Sequence, residues 1–187
     1  MDLSKFTEKS QASLVEAQNI ATRHHHQAVD VEHLLLALLE QEEGLVPRLF
    51  EKAKVSPDLL KTKVEDALKA IPQVTGDTGG QGVYVTGRLN RLLVKAQDEA
   101  KKLQDEYVSV EHLVLAMLDE PASSPVGKIF KSLHLAREGF LKALTEVRGN
   151  QRVTSANPEA TYEALEKYGR DLTRLAAQNR LDPVIGR

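Results

Sequence analysis

The feature that most limits how this chain can fold is an internal repeat. Residues 31–40 (VEHLLLALLE) return 79 positions later as residues 110–119 (VEHLVLAMLD), and eight of the twelve positions from 29 to 40 are identical in the second copy. The same shift pairs residues upstream: Thr7 with Thr86, Leu14 with Leu93, Val15 with Val94 and Ala17 with Ala96. A solenoid would repeat every roughly 20–50 residues. The first 150 residues are therefore predicted to be two copies of one unit.

The two repeated segments are predicted to be short buried helices. Each carries apolar side chains on every side of a helix, a pattern typical of a helix with no solvent-facing side. The apolar run is much shorter than the roughly 20 residues that cross a bilayer. Asp30 and Ser109 precede the segments as candidate N-caps. Glu32 and Glu111 follow in the first turn, where a carboxylate interacts favourably with the helix dipole.

Apolar residues at helical spacing predict four helices in each unit. Thr7 and Thr86 are placed to cap the first helix of each unit, and Ser56 followed by Pro57 is typical of a helix start. The predicted fold is all-α: a pseudo-twofold tandem of two four-helix units, followed by a C-terminal helical linker. The predicted boundaries are residues 1–70 for the first unit, 71–85 for a glycine-rich connector, 86–149 for the second unit and 150–187 for the linker.

The connector and the tail are predicted to be linking segments. The connector has several glycines but no G-x-x-x-x-G-K-[ST] motif, so it is predicted to be a flexible tether and not a phosphate site. A second hinge is predicted from Gly149 to Asn157, and a ninth helix is predicted to start at Asn157–Pro158–Glu159. The chain ends at Arg187 without a capping element, which predicts that the full protein continues beyond it.

Composition excludes several functional classes. A net charge of −2 provides no basic field for nucleic acid. The absence of cysteine excludes disulfides and thiol chemistry. No apolar leader follows the initial methionine, and the 41% hydrophobic and 28% charged residues are typical of a globular domain. These observations predict a cytoplasmic protein that binds neither nucleic acid nor membrane.

The histidines are interpreted as structural. The Arg23-His24-His25-His26 tract falls at the end of the first helix, where consecutive residues do not share a face, so a solvated helix end is predicted in preference to a metal site. His33 and His112 occupy matching places in the two central helices. Each is predicted to be a buried histidine with its hydrogen bonds satisfied, not a catalytic group. No metal or cofactor is predicted within residues 1–187.

The duplicated V-E-H-L-x-L-A-x-L unit resembles the N-terminal domain of the Clp unfoldases, which are ring-shaped AAA+ ATPases of protein quality control. In the tail, residues 165–173 (LEKYGRDLT) and 181–187 (LDPVIGR) resemble the entry to the first AAA+ module of that family. Residues 71–76 (IPQVTG) and the L-x-K-Y sequence before D-L-T are most similar to the disaggregase branch. The resemblance implies that residues 150–187 include the start of a truncated AAA+ module.

The resemblance also implies a function. This fragment would be the substrate-recognition module of a stress-response chaperone, binding exposed apolar segments of unfolded or aggregated proteins and passing them to the threading ring. It would not itself be an enzyme, whereas the parent protein would be an ATPase using ATP and Mg²⁺. The parent would be a homohexamer acting with a DnaK-type chaperone, and the fragment alone would be monomeric.

A client-binding groove is placed by the resemblance on the surface of this domain. Its candidate residues here are Thr7, Thr86, Leu89, Leu93, Asp105, Tyr107 and Glu111. Leu89 and Leu93 also fit a core stripe, and both threonines also fit a capping role. Two other functions remain open: an adaptor-docking domain of a protease-coupled unfoldase, which would present a charged face to a folded partner, and an independent helical scaffold.

Overall fold

The computed structural model describes residues 3–74, 82–149, 151–159 and 162. These residues form eight α-helices and two very short strands, after a 3-10 turn at Leu3–Lys5. In chain order the elements are α1 (Glu8–Arg23), β1 (Ala28–Val29), α2 (Val31–Glu40), α3 (Leu45–Lys52), α4 (Pro57–Lys69), β2 (Tyr84–Val85), α5 (Gly87–Lys102), α6 (Val110–Leu118), α7 (Pro125–Ser132) and α8 (Arg137–Arg148). The predicted all-α pair of four-helix units is confirmed.

The helix starts follow the predicted capping residues. The Thr7 and Thr86 hydroxyls accept hydrogen bonds from the backbone N–H groups of Ser10 and Leu89, at 3.2 and 3.1 Å. Ser56 caps α4, which has Pro57 in its first turn. Each cap satisfies a backbone donor that the first turn of a helix leaves without a partner.

The two central helices are buried as predicted. Every residue of α2 from Val31 to Leu39 is buried, and so is every residue of α6 from Val110 to Met117. The helices around them do not stay within their own repeat, however. Helix α3 packs against α8, and α4 packs against α7. The two units therefore share one core, because the third and fourth helices of each repeat pack against those of the other as well as against their own central helix.

An aromatic contact joins the two repeats within this core. The Phe50 ring of α3 lies 6.2 Å from the Phe130 ring and 5.8 Å from the Phe140 ring, measured between centroids. These separations are within the range of favourable aromatic pairs.

The sequence predicted no strands, but the structure contains two short backbone pairings. Strands β1 and β2 are parallel, with Val29 opposite Val85, and an isolated parallel bridge joins Phe6 to Val108. A shift of 79 residues converts one pairing into the other. In both, the chain entering one repeat pairs with the loop before the central helix of the other. Pairings this short carry no alternating pattern that a sequence could reveal.

Some predictions lie outside the described residues. They include residues 75–81 of the glycine-rich connector, most of the ninth helix and the whole segment that resembles the AAA+ entry. Among the residues that the structure describes, no helix is long and apolar enough to cross a membrane.

Candidate functional site

An apolar groove lies between α1, α5 and the paired strands. It encloses about 170 Å³ and is lined by Leu3, Leu14, Gln18, Val29, Val85, Leu89, Asn90 and Leu93. Leu89 and Leu93 stand one turn apart on α5, so both side chains face the same side of that helix. The two polar lining residues, Gln18 and Asn90, are uncharged. The groove can therefore bury apolar groups without leaving an unpaired charge inside it.

Exposed apolar side chains concentrate around this groove. Among the described residues, the large hydrophobic side chains left exposed are Leu3, Val15, Leu59, Tyr84, Val85 and Val94. Leu3 and Val85 line the groove, and Val15, Tyr84 and Val94 belong to α1, β2 and α5, the elements that form it. Such a concentration of exposed apolar surface is typical of a binding site.

The groove follows from the duplication. Leu14 on α1 and Leu93 on α5 are equivalent positions of the two repeats, and the exposed Val15 and Val94 follow them in the sequence. Equivalent stretches of the first helix of each unit thus contribute to one groove. Sequence reasoning placed Leu89 and Leu93 in the site but left out Leu3, Leu14, Val29 and Val85. The pairing of Leu14 with Leu93 in the repeat was the signal that could have identified Leu14.

Thr7 and Thr86 are not groove residues, and each binds a carboxylate beyond its own helix. The Thr86 hydroxyl donates to Asp30 Oδ1 at 2.9 Å, and the Thr7 hydroxyl donates to Glu159 Oε1 at 2.7 Å. Thr7 is completely buried. Both therefore have structural bonds that account for their hydroxyl groups.

Asp105 lies at the centre of a buried polar cluster. Its carboxylate accepts from Arg148 at 2.6 and 3.0 Å and bonds His112 Nε2 at 2.7 Å. Burial alone would raise the pKa of Asp105, but the bonds from His112 and Arg148 lower it to about 2. The carboxylate is therefore ionised across the physiological pH range.

Glu111 lies in the same cluster and is fully buried. One carboxylate oxygen accepts a hydrogen bond from the Ser109 hydroxyl, and the other lies 3.8 Å from Arg148. Burial raises the pKa of Glu111, against the opposite effect of His112 and Arg148. Burial, and next the Glu111 carboxylate, also raise the pKa of Glu159 to about 7. Two acidic groups therefore share a desolvated site beside one arginine.

The structure thus separates the predicted site residues into groups. Leu89 and Leu93 line the groove, and Thr86 caps the helix that carries them. Thr7, Asp105 and Glu111 lie buried at the starts of α1 and α6, where a client cannot reach them in this conformation. Tyr107 is half-buried, with the Lys5 ammonium 5.8 Å from the centre of its ring.

Both central histidines are buried and hydrogen-bonded, as predicted, and the structure shows in addition that each caps its own helix. His33 Nδ1 accepts the Asp30 N–H at 2.9 Å, and His112 Nδ1 accepts the Ser109 N–H at 2.8 Å. Nε2 of His33 then bonds His26 Nδ1 at 2.8 Å. The prediction of a solvated helix end is wrong for His26, which is buried and makes this hydrogen bond to His33. Within the described ranges, no group of three or more acidic or histidine side chains is placed to hold a metal ion.

The fold and its duplicated core agree with comparisons to known proteins. The family model described as the Clp repeat (R) N-terminal domain matches residues 5–133. The chain therefore belongs to the family of Clp N-terminal domains.

Within that family, its curated relatives include chaperone proteins ClpB. The chain is 55% identical to ClpB of Nitratidesulfovibrio vulgaris over 188 aligned positions and 51% identical to ClpB of Bacillus cereus. Each alignment covers 100% of this chain but 22% of the relative. The chain is thus a ClpB-like chaperone N-terminal domain that spans about a fifth of the length of these relatives.

Solved structures support the same fold. The N-terminal domain of Hsp104 from Candida albicans superposes with a TM-score of 0.71 at 20% identity, covering 83% of this chain and 99% of that one. A complex of the ClpV N-domain with a VipB peptide superposes with a TM-score of 0.60 at 21% identity, covering 78% and 90%. At these identities the likeness shows the fold alone.

Proposed function

We propose that this domain recognises substrate for a ClpB-like disaggregase, and that the apolar groove between α1 and α5 binds exposed apolar segments of unfolded or aggregated polypeptides. The observation that carries this proposal is the concentration of exposed apolar side chains around an uncharged groove. A cavity of roughly 150 Å³ with an aliphatic lining accepts a benzene-sized group. The groove is therefore large enough for one leucine or phenylalanine side chain of a client.

The expected affinity for one such side chain is modest. Burial of apolar surface contributes roughly 25 cal/mol per Å², or about 1.5–3 kcal/mol for a whole side chain. Because this interaction does not depend on direction or sequence, it suits a module that must accept many clients. In the proposed parent protein, AAA+ modules that use ATP and Mg²⁺ would take over the captured segment. Hexamer formation and cooperation with a DnaK-type chaperone belong to that proposal.

The test compares two groove residues with an exposed residue elsewhere. Leu3 and Val85 line the groove but are 39% and 36% exposed, so replacing them with serine should leave the fold intact. We expect the double variant Leu3→Ser/Val85→Ser to bind an unfolded model protein about tenfold more weakly, a loss of roughly 1.4 kcal/mol. Fluorescence anisotropy measures the affinity, and circular dichroism confirms the fold.

The matched control is Leu59→Ser, which removes a 48% exposed leucine from α4, away from the groove. This variant should bind the unfolded protein as tightly as the unmodified chain. Equal affinity in the groove variant and the control would contradict the proposed function.

A second cavity favours the alternative function, docking of a folded adaptor protein. It encloses about 280 Å³ on the other side of α5, where Arg88, Arg91 and Lys95 face Glu120. A charged cavity of this kind suits a folded partner with complementary charges. The variant Arg91→Gln/Lys95→Gln discriminates the two functions, because it should weaken adaptor docking but leave the affinity for an unfolded apolar client unchanged.

A further inference from the structure

The segment after α8 folds back onto the second repeat. The chain turns at Gly149, whose φ of 58° and ψ of −125° favour glycine. Residues 151–159 then lie over the starts of α1 and α6. Sequence analysis predicted a hinge over most of this stretch, but its backbone and side chains make specific bonds to both repeats.

The first bonds join the segment to the loop before α6. The Glu106 N–H donates to the Val153 carbonyl at 2.8 Å, and the Val153 N–H donates to Asp105 Oδ1 at 2.9 Å. The Val153 side chain is completely buried. Val153 is thus held by both of its backbone polar groups and by an apolar contact.

The next bonds join the segment to the start of α1. The Glu8 N–H donates to the Ala156 carbonyl at 2.8 Å. Three residues further on, Glu159 Oε1 accepts the Thr7 hydroxyl at 2.7 Å and the Val110 N–H at 3.3 Å. Glu159 is completely buried. Its carboxyl group lies at the N-terminal ends of two helices, where their dipoles favour a negative charge.

The first repeat shows what Glu159 replaces. There the N-cap residue of α2 is Asp30, and its carboxylate accepts the Thr86 hydroxyl at 2.9 Å. The equivalent N-cap of α6 is Ser109, which has no carboxylate. Glu159 supplies the missing group to Thr7, the equivalent of Thr86. Residues 151–159 therefore supply to Thr7 the carboxylate that Asp30 of the first repeat supplies to Thr86 of the second.

We infer that residues 151–159 are a latch: an intramolecular peptide that occupies a binding surface formed by residues 105–110 and the start of α1. The surface fits an extended segment that presents a buried apolar side chain at Val153 and a carboxyl group six residues later at Glu159. While the latch is bound, Thr7, Asp105 and Glu111 are covered. The chain therefore stays against this domain beyond Gly149, and Tyr162 is also buried, with the Arg148 guanidinium 5.7 Å from the centre of its ring. This inference is independent of the proposed role of the groove.

The test uses hydrogen exchange of the whole chain, because four latch bonds have amide donors, and those of Glu8, Glu106 and Val153 do not bond Glu159 itself. The amides of Glu8, Glu106 and Val153 should exchange slowly in the unmodified chain. In Glu159→Ala, which removes a buried acceptor of two hydrogen bonds, all three should exchange roughly tenfold faster or more. Val153→Ala should have the same effect through loss of the buried side chain.

The duplication provides a matched control. Thr7→Val and Thr86→Val each remove a helix N-cap and one hydroxyl-to-carboxylate bond, so their effects on global stability should be similar. Faster exchange at Glu106 and Val153 is expected in Thr7→Val and not in Thr86→Val. Trypsin gives an independent readout, because cleavage after Arg152 should accelerate in Thr7→Val and Glu159→Ala but not in the control.

Two results would overturn the latch. One is exchange of the Glu106 and Val153 amides at the rates of a free peptide in the unmodified chain. The other is an equal change at these amides in Thr7→Val and Thr86→Val, which would mean that the exchange reports global stability alone.

Discussion

The first repeat has His26, and the second has Asp105 at the equivalent position. The same buried site is therefore built with side chains of different charge. In both repeats a histidine at the third position of the central helix accepts the N-cap amide through Nδ1, so its proton lies on Nε2. Through Nε2, His33 donates a hydrogen bond to His26 Nδ1 in the first repeat, and His112 donates one to Asp105 Oδ2 in the second. The geometry is the same, but the first partner is an imidazole and the second a carboxylate.

The first of these pairs predicts a loss of stability in acid. Burial, and next the neighbouring His26, lower the pKa of His33 from 6.5 to about 4. Between these two values the unfolded chain binds a proton that the folded chain does not bind. The free energy of unfolding should therefore fall as the pH drops from about 6.5 to about 4, by roughly 2–3 kcal/mol from this residue.

The variant His33→Gln isolates this contribution. A glutamine oxygen can still accept the Asp30 N–H, as in an ordinary capping box, but it does not titrate in this range. Urea unfolding at several pH values should show a shallower pH dependence between pH 4 and 6.5 for the variant. Parallel curves for the two proteins would show that His33 does not contribute.

Two helix glycines differ in what surrounds them, although both lie in the second repeat. A Cβ atom at Gly127 of α7 would lie 2.0 Å from the Pro121 carbonyl oxygen, whereas a Cβ at Gly139 of α8 would meet nothing within 4 Å. Glycine at position 127 therefore allows α7 to approach the loop that precedes it. Gly139 lowers the helix propensity of α8, and no neighbouring atom requires a glycine at this position.

Alanine substitutions should therefore have opposite effects on these two helices. Gly127→Ala should lower the free energy of unfolding by about 1–3 kcal/mol, because the backbone must move to relieve the overlap. Gly139→Ala should raise it by about 0.5–1 kcal/mol, because alanine favours the helix. Thermal and urea unfolding measure both changes. Destabilisation of equal size in the two variants would contradict this account of α7.

At the scale of the whole molecule, the packing of α3 against α8 and of α4 against α7 predicts that the two repeats unfold together. Phe50 is completely buried and contacts the aromatic rings of α7 and α8 in the other repeat. Phe50→Ala should cost about 3–5 kcal/mol. Hydrogen exchange should then show an equal loss of protection in α2 and α6. Loss in α2 with unchanged protection in α6 would show that the two units are independent.

The duplication, the helices and their caps could be predicted from the amino-acid sequence alone. These are local properties: a threonine, serine or aspartate before an apolar helix satisfies the first-turn amides whatever lies nearby. Helices α2 and α6 carry apolar side chains on every side, so burial of both helices is favourable. The relation of the two copies was enough to predict the pseudo-twofold arrangement.

Which surfaces meet could not be predicted in this way, because it depends on contacts between distant parts of the chain. Leu89 and Leu93 fitted a core stripe and a groove equally well, and in the structure both are buried members of the core that also line the groove. Asp105 and Glu111 were polar residues expected at a binding surface, but Arg148 and residues 151–159 bury them. These outcomes depend on contacts between residues up to 152 positions apart in the sequence, such as Thr7 with Glu159. No local pattern specifies such a contact, because each partner satisfies its own helix or turn without the other.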